Sequence, residues 1–71
     1  MNYREQLFLT VTDEGGYNIA IIIAHIIYFE EATNGGTIIY LDNGSSIHAK
    51  NPLDDILKRY AHLIGGPFIP D

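Results

Sequence analysis

The chain has 71 residues, of which 46% are hydrophobic and 18% are charged, and it contains no cysteine. A chain this short buries only about 60% of its unfolded surface and has room for one core, while its apolar content excludes intrinsic disorder. The formal net charge of −5 repels phosphate backbones and argues against a nucleic-acid partner, and the absence of cysteine excludes disulfides and thiolate metal sites.

The N-terminal part of the chain predicts a β-hairpin. Apolar residues alternate with other residues over 6–12, and a period of two predicts a strand. Turn-forming residues at 13–16 follow, and the apolar segment 17–22 predicts the returning strand. The isoleucine-rich continuation favours extended structure, with a bend expected at Ala24 and His25.

The middle of the chain predicts further strands over 26–31, 37–41 and 45–50. A loop at 32–36 separates the first two of these strands. The Asp-Asn-Gly turn at 42–44 joins the last two, because these residue types readily adopt the backbone conformations of a tight hairpin.

The hydrophobic period changes after residue 50 and predicts a helix over about 52–64. Asn51 is a favoured N-cap and Pro52 fits the first helical position. A glycine pair at 65–66 ends the helix. The tail 67–71 is apolar for a terminus, which predicts an extended segment that docks elsewhere.

These elements predict an α+β fold: a small antiparallel β-meander of four to five strands, either open or rolled into a barrel-like form, with one C-terminal helix. We expect a single β-rich domain over 1–66, with the tail 67–71 outside it.

Apolar residues occupy both alternation phases of the predicted strands, so one helix cannot cover both faces of the sheet. A barrel that covers itself is one solution, and association with another copy or a partner is the other. We expect association through Tyr28, Ile38 and Tyr40, with the tail residues Phe68 and Ile69 as a strap. The predicted faces are Ile27, Phe29 and Ile39 on one side, and Ile26, Tyr28, Ile38 and Tyr40 on the other.

No motif predicts catalysis, cofactor binding or a metal site. His25, His48 and His62 lack metal-ligand spacing, and the glycine pairs lack the context of a phosphate-binding loop. Glu30 and Glu31 are adjacent in a strand and therefore point to opposite faces rather than forming a catalytic pair. We predict a non-enzymatic protein without cofactor, in which His25 is a candidate pH-sensitive residue because imidazole changes charge under mild acid.

The longest apolar run, residues 19–29, is shorter than the roughly 20 residues that a membrane-spanning helix needs. The N-terminal residues alternate and do not resemble a secretory signal. These features predict a cytoplasmic chain with no membrane span.

The segment from Ile22 to Tyr60 resembles the short FlbD family of flagellar proteins, whose pattern is a strand ending in two glutamates, a loop, an Ile-x-Leu-x-x-Gly hairpin and an aliphatic helix. The segment is also similar to the first part of the LytTR DNA-binding domain, but it lacks the basic base-reading residues of that family, so DNA binding does not carry over. The resemblance implies a small non-enzymatic β-rich module and assigns no functional residue. The matching residues are Ile26, Phe29, Glu30, Ile39, Leu41, Asn43, Gly44, Leu53 and Ile56.

Two functions are compatible with these patterns. The first is a small interaction module that forms homo-oligomers and binds a protein partner. The alternative is a phage or bacterial protein that binds or sequesters a small nucleotide-like ligand, in a pocket between subunits lined by tyrosine, histidine and glycine-rich loops.

Overall fold

The computed structural model describes residues 7–65, which form five antiparallel strands and one α-helix. This arrangement confirms the predicted α+β class with a C-terminal helix. A 3-10 turn over Ile23–His25 separates the second and third strands, at the expected bend. The elements are β1 (Phe8–Thr12), β2 (Asn18–Ile22), β3 (Ile26–Glu31), β4 (Thr37–Leu41), β5 (Ser46–Ala49) and α1 (Leu53–Ile64).

The strands divide into two sheets, β1-β2 and β3-β4-β5, and do not close into a barrel. The sheets meet where β1 ends beside the end of β5. One bridge pairs Asp13 with Ala49, and the Lys50 amide donates a hydrogen bond of 2.7 Å to the carbonyl of Thr12. The alternative of a closed barrel is therefore wrong, because backbone pairing between strands of the two sheets is confined to this corner.

The core lies between the two sheets and α1. The expected alternation in β1 is confirmed, since Leu9 and Val11 are buried while Phe8 and Thr10 are exposed. Helix α1 packs on β1 and β3. The buried cluster consists of Leu9, Val11, Ile21, Ile39, Ala49 and Ile56.

A β-bulge at Ile27 changes the predicted faces of β3. Ile26 pairs with Leu41 and Tyr28 pairs with Tyr40, so two residues of β3 advance for one residue of β4. Ile26 consequently packs against the core, while Ile27 is 60% exposed. The predicted faces are wrong for these two residues, because the strict period of two does not hold across the bulge.

Asn51 connects both sheets and is not the N-cap that the sequence predicted. Pro52 is the N-cap, without a side-chain hydrogen bond. The Asn51 side-chain oxygen instead accepts the amide of Thr12 at 2.9 Å, and its backbone carbonyl accepts the hydroxyl of buried Thr37 at 2.7 Å. The predicted end of the helix is confirmed at Gly65, which adopts a left-handed conformation with φ of 76°.

Candidate interaction surface

Register places the three predicted contact residues on one side of the β3-β4-β5 sheet. Tyr28 pairs with Tyr40, and Ile38 pairs with both Glu30 and His48. Phe29 lies on the other side, where its ring meets Tyr60 of α1 edge-on at a centroid distance of 5.5 Å. We call the side opposite α1 the outer face; its residues are Tyr28, Glu30, Ile38, Tyr40, Ser46 and His48.

A stacked tyrosine pair is the main feature of the outer face. The rings of Tyr28 and Tyr40 are 4.5 Å apart between centroids and inclined by 18°. Tyr28 is 52% exposed, while Tyr40 and Ile38 are half-buried. The Tyr40 hydroxyl donates a hydrogen bond of 2.7 Å to Glu30. These contacts hold aromatic area and polar groups in one arrangement, which suits a protein interface.

The hydrogen bond to Glu30 also changes the acidity of Tyr40. It favours the neutral phenol and raises the pKa of Tyr40 above the ordinary 10.0, and desolvation and the charge of Glu30 act in the same direction. Tyr40 therefore remains a hydrogen-bond donor throughout the neutral range.

We expect the substitution Glu30→Gln to lower the pKa of Tyr40 toward its ordinary value, because the carboxylate acceptor is removed. A raised pKa in the folded state stabilises the protein fully below the unfolded pKa of about 10, and this contribution is lost as the pH rises through the folded value. The NMR shift of the Tyr40 ring carbon that carries the hydroxyl, followed against pH, measures the change. Glu31→Gln is the matched control, since Glu31 lies on the opposite side of β3; equal shifts in both variants would contradict the assignment.

His25 lies at one end of a groove between the two sheets. The groove has a volume of about 350 Å³, and its apolar wall includes Ile22 and Ile47. The His25 ring nitrogen Nδ1 is 3.1 Å from an Asp42 carboxylate oxygen, and the Asp42 amide donates to the His25 carbonyl. Both side chains are exposed. The pair connects the bend before β3 to the β4-β5 turn, and the pH-sensitive role of His25 stays a prediction.

A second groove, of about 440 Å³, lies between β1 and α1 and combines apolar Phe8 and Leu63 with basic residues of the helix. Arg59 in this groove is held in place, since it pairs with Asp55 at 3.0 Å and donates to the Thr10 carbonyl at 2.8 Å. The predicted strap residues Phe68 and Ile69 lie outside the described part of the chain.

The polar side chains of the described range do not form a metal-binding cluster. Residues 7–65 contain no group of three or more histidines and carboxylates that could hold a metal ion. The Ser45 hydroxyl is engaged within its turn, where it donates to the Asn43 side chain at 2.7 Å.

The sequence did not identify Glu30, Ser46 and His48 as members of the outer face. Their positions follow from the register that the three-residue turn at 42–44 imposes on β4 and β5, together with the β3-β4 pairing. The sequence predicts this turn, and pairing residues outward from it is the signal that could have identified Ser46 as the partner of Tyr40.

Comparison with protein-family models, with curated protein sequences and with solved structures finds no match to this chain. The resemblance to the FlbD and LytTR families is not tested by these comparisons and stays a prediction. Within residues 7–65, no helix is long and apolar enough to span a bilayer.

Proposed function

We propose that the chain is a small non-enzymatic interaction module that forms homo-oligomers and binds a protein partner through the outer face. The observation that carries the proposal is the stack of exposed Tyr28 on half-buried Tyr40 beside Ile38, on the side of the sheet that α1 does not cover.

The composition of the outer face supports protein binding. Tyrosine is enriched at interfaces because its ring supplies apolar area and its hydroxyl supplies a hydrogen bond at a low cost in side-chain entropy. Stacking restricts the rings of Tyr28 and Tyr40, and Glu30 fixes the hydroxyl of Tyr40. Less freedom is therefore lost when a partner binds.

Small size supports self-association. The core of residues 7–65 contains few fully buried side chains, and large hydrophobic residues such as Phe8, Ile27 and Tyr28 stay substantially exposed. Domains of this length without disulfides or metals commonly gain stability by burying such residues against a neighbour.

Site-directed photo-cross-linking tests partner binding. A photoreactive phenylalanine analogue at position 28 or 38, expressed in the native host, is expected to form cross-links to a defined partner protein, because both side chains lie on the outer face. Position 17 is the matched control, since Tyr17 is 73% exposed but belongs to the β1-β2 turn. Cross-links at position 17 as abundant as those at 28 and 38, and to the same proteins, would contradict a role of the outer face.

Small-ligand binding is the second candidate, and the groove beside His25 favours it. A volume of about 350 Å³ falls within the range of ligand sites, and the paired His25 and Asp42 lie at its edge. Native mass spectrometry discriminates between the two functions. A discrete added mass per subunit or per dimer, removed by unfolding, would favour ligand binding, and an oligomer of unmodified chains would favour the interaction module.

A further inference from the structure

One edge of β2 has no partner strand among residues 7–65. Two hydrogen bonds fix which backbone groups face β1: the Asp13 amide donates to Tyr17 at 2.8 Å, and the Ile23 amide donates to Leu7 at 3.0 Å. In an antiparallel pair, successive residues point their amides and carbonyls to opposite edges. The backbone groups of Asn18, Ala20 and Ile22 therefore point away from β1.

No other strand of the described part of the chain pairs with this edge, since β2 pairs with β1 alone. The edges of the other strands differ from that of β2. Asn51, Lys50 and Arg59 form hydrogen bonds with the outer edge of β1. Edge strand β3 carries a bulge and ends in Glu30 and Glu31, and edge strand β5 has only four residues and meets β1 at its end. Strand β2 has no charged residue, no proline and no bulge. Natural proteins use charged residues, proline and bulges to prevent exposed strand edges from pairing with other chains. An edge that lacks all three is therefore available for pairing with a strand of another chain.

We propose that β2 pairs with β2 of a second copy of this chain, antiparallel and centred on Ala20, so that the two small sheets form one four-stranded sheet. This inference rests on the self-association proposed above and names the surface that performs it. The outer face of the other sheet stays available for a different protein.

Charge favours a second copy as the occupant of this edge. The chain has a net charge of −5, so two copies repel each other wherever acidic surfaces meet. Residues 15–29 contain no lysine, arginine, aspartate or glutamate, and β2 lies within this uncharged segment. A symmetric contact centred here brings no acidic residue of β2 against its own image.

Backbone geometry is self-complementary about Ala20. Antiparallel pairing of Ala20 with its own image, and of Asn18 with Ile22 of the second copy, matches outward amides with outward carbonyls. The exposed side chain at position 20 is a methyl group, which lets the two strands approach across the axis. Such edge pairing obtains its affinity from main-chain hydrogen bonds and its specificity from the alternate side chains.

The groove beside β2 provides the apolar contact. The proposed register sets Ile19 of the second copy beside Ile21, on the side of the sheet that faces the core. Ile21 lines the 350 Å³ groove together with Leu41 and Ile47, so the incoming isoleucine covers apolar surface there.

Sedimentation equilibrium of the full chain tests this pairing with two proline variants. Ala20→Pro removes the amide of residue 20 from each copy, and these two amides are the central hydrogen-bond donors of the proposed interface. Neither amide forms a hydrogen bond within its own protomer, because each points away from β1. We therefore expect the dimer dissociation constant to rise about tenfold or more. Thr10→Pro is the matched control, because Thr10 pairs with Ala20 in register and its amide points to the opposite edge of the same sheet. We expect its dissociation constant to stay near that of the unsubstituted chain.

Charged substitutions at position 20 test the same β2 pairing if a proline variant does not fold. Ala20→Glu and Ala20→Lys each set like charges directly across the axis and are expected to dimerise weakly alone, whereas a mixture is expected to form the heterodimer. Failure of the mixture to do so overturns the proposed register.

A dimer that Ala20→Pro leaves unchanged overturns the β2 pairing and preserves self-association by another surface. A chain that stays monomeric at every concentration overturns both this inference and the self-association half of the proposed function. Partner binding by the outer face is decided separately by the cross-linking experiment.

Discussion

The substitution Gly36→Ala is expected to destabilise the protein by about 3 kcal/mol or more, because the added methyl group has no space. A β-carbon at this position would lie 2.2 Å from the carbonyl oxygen of Ala49 in β5. That oxygen belongs to the backbone, where β4 and β5 are in register, so the clash can be relieved only by separating strands. Urea unfolding followed by circular dichroism measures the loss.

Gly35→Ala is the control for this prediction, since Gly35 is the preceding residue of the same loop. Its φ of 93° disfavours any β-carbon, but nothing lies within 4 Å of the position that the methyl group would take. The expected loss of unfolding free energy is about 1–2 kcal/mol, because only the left-handed backbone conformation opposes the new side chain. A Gly36 variant no less stable than the Gly35 variant would show that the loop moves away from β5 at little cost.

Gly35 and Gly36 have different structural requirements, and the local sequence does not distinguish them. The sequence predicts a loop at Gly35 and Gly36, and the structure confirms it. Adjacent glycines look equivalent in a sequence, yet one is needed for its positive φ and the other for its distance from Ala49. The second requirement depends on a contact 13 residues away in the chain, which no local pattern contains.

The elements themselves were predictable because local signals agreed with one another. The turn at 42–44 and the glycine at 65 have backbone requirements that few residue types meet, and both signals were correct. Helix α1 followed from its apolar period. The bulge at Ile27 was not predictable, since both neighbouring phases are apolar and the hydrophobic pattern therefore fits a bulged and a regular strand equally well.

The side chain of Asn51 has a different hydrogen-bond partner from the helix amide that the sequence predicts. Asparagine before proline and an apolar helix predicts a cap, because its side-chain oxygen can accept a helix amide. In this chain the same oxygen accepts the amide of Thr12 from β1, at a separation of 39 residues. Only the packing of β1 beside β5 brings that donor within reach, so tertiary structure decides between the two acceptor roles.

The largest contrast between adjacent residues is expected at Ile38 and Ile39. Ile39→Ala should destabilise the fold by about 2–5 kcal/mol, because Ile39 is fully buried in the core cluster and its removal leaves a cavity. Ile38→Ala should cost less than about 1 kcal/mol, since Ile38 is half-buried on the outer face and its loss opens no closed space. Thermal and urea unfolding of the two variants measure both values.

The same pair separates stability from binding. If the outer face binds a partner, Ile38→Ala reduces cross-linking from position 28 while leaving the unfolding midpoint close to that of the unsubstituted chain. Ile39→Ala has the opposite profile at temperatures where the variant stays folded, because its side chain points toward α1 and does not reach the partner. Equal losses of stability in the two variants would mean that Ile38 is covered by a part of the structure, and the outer face would then lose its role as a binding surface. Because side chains alternate along β4, Ile39 belongs to the core and Ile38 belongs to the outer face. Unfolding measures the role of Ile39 in stability, and cross-linking independently measures the role of Ile38 in partner binding.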